Sequence, residues 1–327
     1  MDEDDIRSRP NPRGSRARSK QRPAHEDALD GMVLTVDRGR YNVLVGDREV
    51  TAMRARELGR KGIAVGDRVS VVGSEDARSG TEELARIVRL AERETVLRRT
   101  ADDDDPTERI LVTNADQMVI VAALADPEPS YGFIDRCLVA ALTANIEPIL
   151  CFTKADLAEP EEALERYEAL DVAAVITQRG GPVDELRGRL IGHTSVFAGH
   201  SGVGKSTLIN ALVPDALRAT GVVSAIGKGR HTSSSAVALE LPDHQGWVID
   251  TPGVRSFGLA HVTAADLLWA FPDLEDGANT CPPGCEHQSE ETGCALDRWV
   301  AEGHAGPVEQ ATERLAAFRR LLTSRTD

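Results

Sequence analysis

Residues 195–212 read SVFAGHSGVGKSTLINAL. Four of the first five are apolar, with the strand formers Val196 and Phe197 among them, and the last seven carry apolar side chains at helical spacing. Between them lies G-x-x-x-x-G-K-[ST], in the strand–loop–helix context that gives this pattern a physical meaning. The glycines let the loop wrap so that backbone N–H groups point at phosphate oxygens, and the following helix adds its positive N-terminal end. The expected phosphate cradle is Gly199, His200, Ser201, Gly202, Val203, Gly204, Lys205, Ser206 and Thr207. Lys205 carries a point charge to the outer phosphates and to the transferring phosphoryl group, which makes it a catalytic candidate, and Ser206 is a Mg²⁺ ligand candidate.

Reading outward from this loop, residues 117–198 alternate between continuous apolar runs (MVIVAAL, PILCF, AAVIT, SVFAG) and amphipathic stretches (FIDRCLVAALTAN, EEALERYEAL, VDELRGRL). That alternation predicts a parallel sheet covered on both faces, with ligands beyond the carboxyl ends of the strands. WVIDTPG places Asp250 at such an end, suited to holding Mg²⁺ through water, and Gly253 beside it offers an N–H to a terminal phosphate. CFTKAD places Thr153, Lys154, Ala155 and Asp156 at another. A carboxylate at Asp156 accepts from both N1–H and the exocyclic amine of guanine, whereas adenine has no such donor pair, so the expected nucleotide is GTP. The Lys154 stem packs against the base plane.

The order of these motifs is unusual. T-K-A-D precedes the phosphate loop, which precedes D-T-P-G, whereas an ordinary small GTPase runs phosphate loop, D-x-x-G, guanine motif. The expected central domain is therefore an α/β P-loop GTPase that is circularly permuted, a rearrangement that requires only that the original termini lie near one another.

The N-terminal third differs in charge and in period. The chain as a whole has 38 Lys+Arg against 53 Asp+Glu, yet residues 1–99 hold 21 basic and 18 acidic residues. Residues 6–23 carry seven basic side chains and no acidic one, with little to bury, as expected of a disordered arm that suits phosphate neutralisation or serves as a solubilising tail. MVLTVDRG, YNVLVGD, EVTAM, DRVSVVG and LARIVRL alternate in short runs, predicting a five-stranded Greek-key barrel of the OB-fold kind, a shape often used on RNA. The acidic residues 102–106 read as a solvated linker.

The remaining composition excludes several classes. No apolar run approaches the ~20 residues of a membrane span, and the N-terminus lacks the apolar core of a signal peptide, so the expected compartment is the cytoplasm. Five cysteines do not make a disulfide framework. Cys137 and Cys151 lie on apolar elements and read as core. Cys281, Cys285, His287 and Cys294 form C-x₃-C-x-H-x₆-C in a Pro/Gly-rich stretch, the donor set of a closed structural Zn²⁺ site. The closing stretch VEQATERLAAFRRLL is an amphipathic helix.

Together, NADQMVIVAAL, YGFIDRCLVAA, IEPILCFTKADL, FAGHSGVGKSTLINAL, GKGRHTSSS, VIDTPGVRSFGL and the Cys/His cluster resemble the circularly permuted, ribosome small subunit-dependent GTPase A family (RsgA/YjeQ-like). The resemblance implies a multidomain chain: a basic arm (1–28), an OB-fold RNA-binding domain (29–99), the permuted GTPase domain (100–258) and a helical zinc-binding domain (259–327). It implies GTP hydrolysis stimulated by the small (30S) ribosomal subunit during its late maturation, with that subunit and its rRNA as partners, no membrane, and a monomeric protein. Its cofactors are GTP/GDP as substrate and product, Mg²⁺ and one structural Zn²⁺.

The same resemblance makes His231 the residue that orients the attacking water, because Val254 stands where glutamine-using GTPases carry Gln. Thr232 in GKGRHTSSS becomes a Mg²⁺ ligand candidate. Thr177 and Gln178 fall where the family usually has Ser-Ala at the second base-contacting loop, and Thr153 stands where its guanine motif usually begins with Asn. Because D-T-P-G comes last, the chain beyond it leads straight into the C-terminal region, so nucleotide contacts there are expected to reorient that region. A rival reading is a GTP-gated RNA-binding checkpoint in which hydrolysis only times release.

Overall fold

The computed structural model describes residues 25–59, 62–73, 84–102, 105–214, 236–252, 257, 259, 261–289 and 293–325. Five strands come first among the described residues: β1 (Leu29–Asp37), β2 (Arg40–Val45), β3 (Arg48–Arg54), β4 (Arg68–Val72) and β5 (Ala85–Leu90). They pair in the order β1-β2-β3-β5-β4, and β4 returns to β1, closing a barrel in which β3 and β5 are parallel. The predicted five-stranded barrel is present. Alternation drives it: Tyr41, Val43 and Val45 of β2 point inward to meet Val33, Val69, Val71 and Ile87, while Arg40 faces water.

Of the acidic residues 102–106, expected as a linker, the described ones (102, 105 and 106) are strand. Strands β6 (Val96–Asp102) and β7 (Asp105–Thr113) pair as an antiparallel hairpin from Val96↔Thr113 to Asp102↔Asp105, with residues 100 and 101 inside it. Its base is fastened to the barrel. Asp67, fully buried, accepts from the Arg93 guanidinium (2.7 and 2.8 Å), the Ala64 amide (2.8 Å) and the Thr113 hydroxyl (2.9 Å). Such a bidentate, fully hydrogen-bonded carboxylate is what makes a buried charge tolerable. Gly66 (φ 90°) lets the two backbones approach, since a Cβ there would stand 2.0 Å from Thr113 O.

The central sheet contains β8 (Gln117–Ala123), β9 (Glu147–Thr153), β10 (Ala173–Ile176), β11 (Thr194–Ala198), β12 (Val237–Glu240) and β13 (Trp247–Asp250). Its order is β10-β9-β8-β11-β13-β12, parallel except for β12. All seven residues of β8 are buried, as a strand covered on both faces requires. Helices α1 (Tyr131–Thr143), α2 (Glu161–Glu168), α3 (Asp184–Leu190) and α4 (Lys205–Leu212) form the crossovers. The chain runs from β8 outward to β10, then returns to the other side of β8 as β11. The β8/β11 boundary is therefore the switch point, beyond whose carboxyl ends a ligand site forms. Through Thr35↔Val237, β1 joins β12 and merges barrel and sheet.

Four further helices close the chain: α5 (Ala264–Leu268), α6 (Pro272–Ala278), α7 (Leu296–Ala301) and α8 (Val308–Ser324). Phe318, Leu321 and Leu322 of α8 share one core with Ile134 and Leu138 of α1. Arg136 of α1 donates to Ser324 O (3.1 Å) and Phe257 O (3.3 Å), so the helical end is bonded directly to the central domain. Among the described residues no helix is long and apolar enough to cross a membrane.

Candidate nucleotide site and candidate metal centre

The phosphate loop sits at the switch point, directly after β11. Gly199 is buried against β8, and a Cβ there would stand 2.7 Å from Val121 O. Gly202 (φ 84°) and Gly204 (φ 93°) are left-handed, which wraps the loop and hands it to α4 at Lys205. Val203 is buried, Ser201, Ser206 and Thr207 are exposed, and the His200 ring lies 4.1 Å from that of Phe133 on α1. Beside the loop, a cleft of about 340 Å³ is lined by Val121, Pro127, Phe133, Ile134, His200 and Val203.

Lys205 is only 8% exposed. Its ammonium contacts the Asp250 carboxylate at the end of β13 and donates to Thr251 O (3.1 Å). The neighbouring Thr251 hydroxyl donates to Phe197 O at 2.6 Å, bracing D-T-P-G against β11. Thr251 lies inside the D-T-P-G motif, but nothing in its spacing marks the hydroxyl as a brace.

The T-K-A-D loop is tied down at three successive residues. The Thr153 hydroxyl donates to Val203 O of the phosphate loop at 2.5 Å. Lys154, left-handed at φ 61°, donates its ammonium to Asp126 O. The Ala155 amide donates to Thr177 O at 3.2 Å, and the Thr177 amide to Phe152 O at 2.8 Å. Asp156 and Gln178 stay exposed next to this framework. The structure thus brings T-K-A-D, Thr177-Gln178, the phosphate loop and Asp250 to one end of the sheet. His231, Thr232 and Gly253 lie outside the described residues.

The four Cys/His donors also converge. The ligand atoms of Cys281, Cys285, His287 and Cys294 all lie within 4.8 Å of one another. Cys281 Sγ is 3.9 Å from Cys294 Sγ and 3.5 Å from His287 Nδ1, which is 3.7 Å from Cys294 Sγ. Zinc bond lengths give a tetrahedron with edges of ~3.8 Å between sulfurs and ~3.5 Å between sulfur and nitrogen, so the donors fit Zn²⁺. The Ala295 amide donates to Cys281 Sγ (3.2 Å) and Arg319 Nε to His287 O (3.1 Å). Burial, then Arg319, holds the His287 imidazole below its ordinary pKa, in the neutral form that ligates metal. Burial, with Cys281 and Cys285 nearby, pushes the Cys294 thiol up to about 11, so metal uptake displaces a proton there.

The family model described as RsgA GTPase matches residues 90–260. The chain is 34% identical over 317 residues to a small ribosomal subunit biogenesis GTPase RsgA of Chlorobaculum parvum, covering 91% of this chain and 98% of that one. The chain belongs to the RsgA GTPase family. Another relative of that description, from Pseudomonas aeruginosa, is 40% identical over 224 residues, 65% of this chain and 64% of its own. The crystal structure of YjeQ from Thermotoga maritima superposes with a TM-score of 0.62 at 25% identity, over 90% of this chain and 99% of that one. That of YloQ, a circularly permuted GTPase, has a TM-score of 0.59 at 24% identity, over 90% and 97% respectively, and shares the fold. As a member of the family the chain is a GTP-hydrolysing enzyme with a permuted domain. Lys205 and Asp250 meet where the phosphate-loop motif and D-T-P-G come together, at the carboxyl ends of β11 and β13.

Proposed function

We propose that this protein is a Mg²⁺-dependent GTPase that binds the small ribosomal subunit in the cytoplasm, acts in its late maturation, and hydrolyses GTP faster when the subunit is bound. The observation that carries the reading is the likeness to small ribosomal subunit biogenesis GTPases along 91% of the chain, which takes in barrel, permuted domain and Cys/His cluster together. The barrel offers an RNA-binding shape. In this reading Asp156 reads guanine, Thr177 and Gln178 close the base side, Ser206, Thr232 and Asp250 serve Mg²⁺, and Gly253 meets the γ-phosphate. His231 orients the water, and Cys281, Cys285, His287 and Cys294 hold one structural Zn²⁺.

The test is hydrolysis of GTP and of ATP by purified protein, with and without mature small subunits. Stimulation by subunits, confined to GTP, is the expected result. Equal use of ATP overturns the guanine assignment. GTP-dependent retention on the subunit without stimulated turnover supports instead a checkpoint in which hydrolysis only times release.

A further inference from the structure

A groove runs between α2 and β10, and no residue of the nucleotide motifs lines it. Among the described residues β10 ends the central sheet and pairs with β9 alone. Its residues, Ala173–Ile176, include no charge and no proline, and Ala173, Ala174 and Ile176 are only partly buried. Such an edge offers backbone N–H and C=O groups to a further strand. Ala174 stands opposite Leu150 in register, and together with Val172 and Leu164 these side chains floor the groove, whose volume is about 430 Å³. The rim is acidic: Glu161, Glu165 and Glu168 of α2, and Asp171 just beyond it, are all exposed.

Helix stability does not account for this rim. Glu161, Glu165 and Glu168 are spaced to share one face of α2, where like charges repel, and Glu168 is the last residue of the helix, at the negative end of its dipole. Among the described residues none of the four carboxylates is in an ion pair. An apolar floor under a carboxylate rim matches lysine and arginine, whose stems lie on apolar surface while the charged head reaches outward. Nucleic acid, or a second copy of this chain, would bring negative charge against the rim. We propose that the groove binds an extended, lysine- or arginine-rich peptide segment of a partner protein, which adds to β10 as a further strand and lays its cationic side chains along α2. The proposal goes beyond the GTPase reading and does not depend on it.

The experiment measures binding of a fluorescent octapeptide of alternating lysine and valine to the full chain by anisotropy, with amide exchange to locate it. Saturable binding that protects the amides of residues 172–176 is the expected result. Glu165→Lys combined with Glu168→Lys should weaken binding about ten-fold, equivalent to ~1.4 kcal/mol. The same reversals at Glu309 and Glu313, exposed on α8, should leave it within about two-fold of wild type. If the first double variant does not fold, Glu165→Gln with Glu168→Gln removes the same charges. No saturable binding by the wild type, equal losses from the two pairs of reversals, or equal affinity for the same peptide N-methylated along its backbone overturns the proposal. Protection of residues 172–176 that rises with protein concentration in the absence of peptide overturns it in favour of a second copy of the chain.

Discussion

Lys205, the first residue of α4, and Asp250, the last of β13, meet as an ion pair at adjacent strand ends, 45 residues apart in the chain. The pairing follows from β11 and β13 being neighbours in register, with Phe197 opposite Asp250. It places the lysine of the G-x-x-x-x-G-K-S loop and the aspartate of D-T-P-G in one locus.

Asp250→Asn keeps the shape and removes the charge. Outer-shell carboxylates typically contribute about 10–100-fold to metal affinity. The Mg²⁺ concentration for half-maximal GTP hydrolysis should rise by that order, while GDP binding measured without Mg²⁺ changes little. A metal titration of initial rates distinguishes this from general loss of activity.

Removal of metal should be felt locally. The Cys/His cluster lies between α6 and α7, and few apolar side chains fill the loop that carries it. Purified protein should contain one zinc per chain, Cys294→Ser should lower that content, and chelation should raise amide exchange across residues 281–300 while the barrel stays protected.

The Thr263 hydroxyl accepts from the Asp266 amide (3.2 Å), and the Asp266 carboxylate accepts from the Thr263 amide (2.8 Å), forming a capping box on α5. Thr263→Ala should cost about 0.5–2 kcal/mol by urea unfolding at neutral pH. The side-chain and backbone hydrogen bonds from Thr263 hold the Asp266 carboxyl below its ordinary pKa. A depressed folded pKa stabilises above the unfolded value of ~3.9, and that contribution is lost as pH falls through the folded value. The gap between wild type and Thr263→Ala should therefore narrow in acid.

Asp135 of α1 is buried, with Arg320 Nε of α8 at 3.4 Å and Arg166 Nη2 of α2 at 3.6 Å. Burial pushes its carboxyl up, against the pull of Arg320 and Arg166. Arg166 and Arg320 are partly exposed, so loss of the carboxylate costs the charge-assisted contacts and not a fully stranded charge, ~1–3 kcal/mol. Asp135→Ala should destabilise by that order and expose the C-terminal helix to proteolysis earlier than the barrel, as limited digestion would show.

Features carried by contiguous residues were legible in the chain alone. G-x-x-x-x-G-K-S, T-K-A-D and D-T-P-G each hold their groups within a few bonds, so spacing alone carries the expectation of a nucleotide site, and their order specifies the permutation. The Cys/His spacing and the period-2 strands of the barrel were legible for the same reason. The tertiary structure decided what depends on distant partners. Residues 102–106 read as an acidic linker, and only the pairing of β6 with β7, out to Asp102↔Asp105, makes strand of residues 102 and 105–106, because ladder hydrogen bonds leave no local pattern in a run of like charges. The fastening of barrel to hairpin through Asp67, Arg93 and Thr113 rests on residues up to 46 positions apart. Thr153 in the motif suggests a base contact. Its burial against Val203, 50 residues away, commits its one proton elsewhere, and no reading of the motif alone contains that fact.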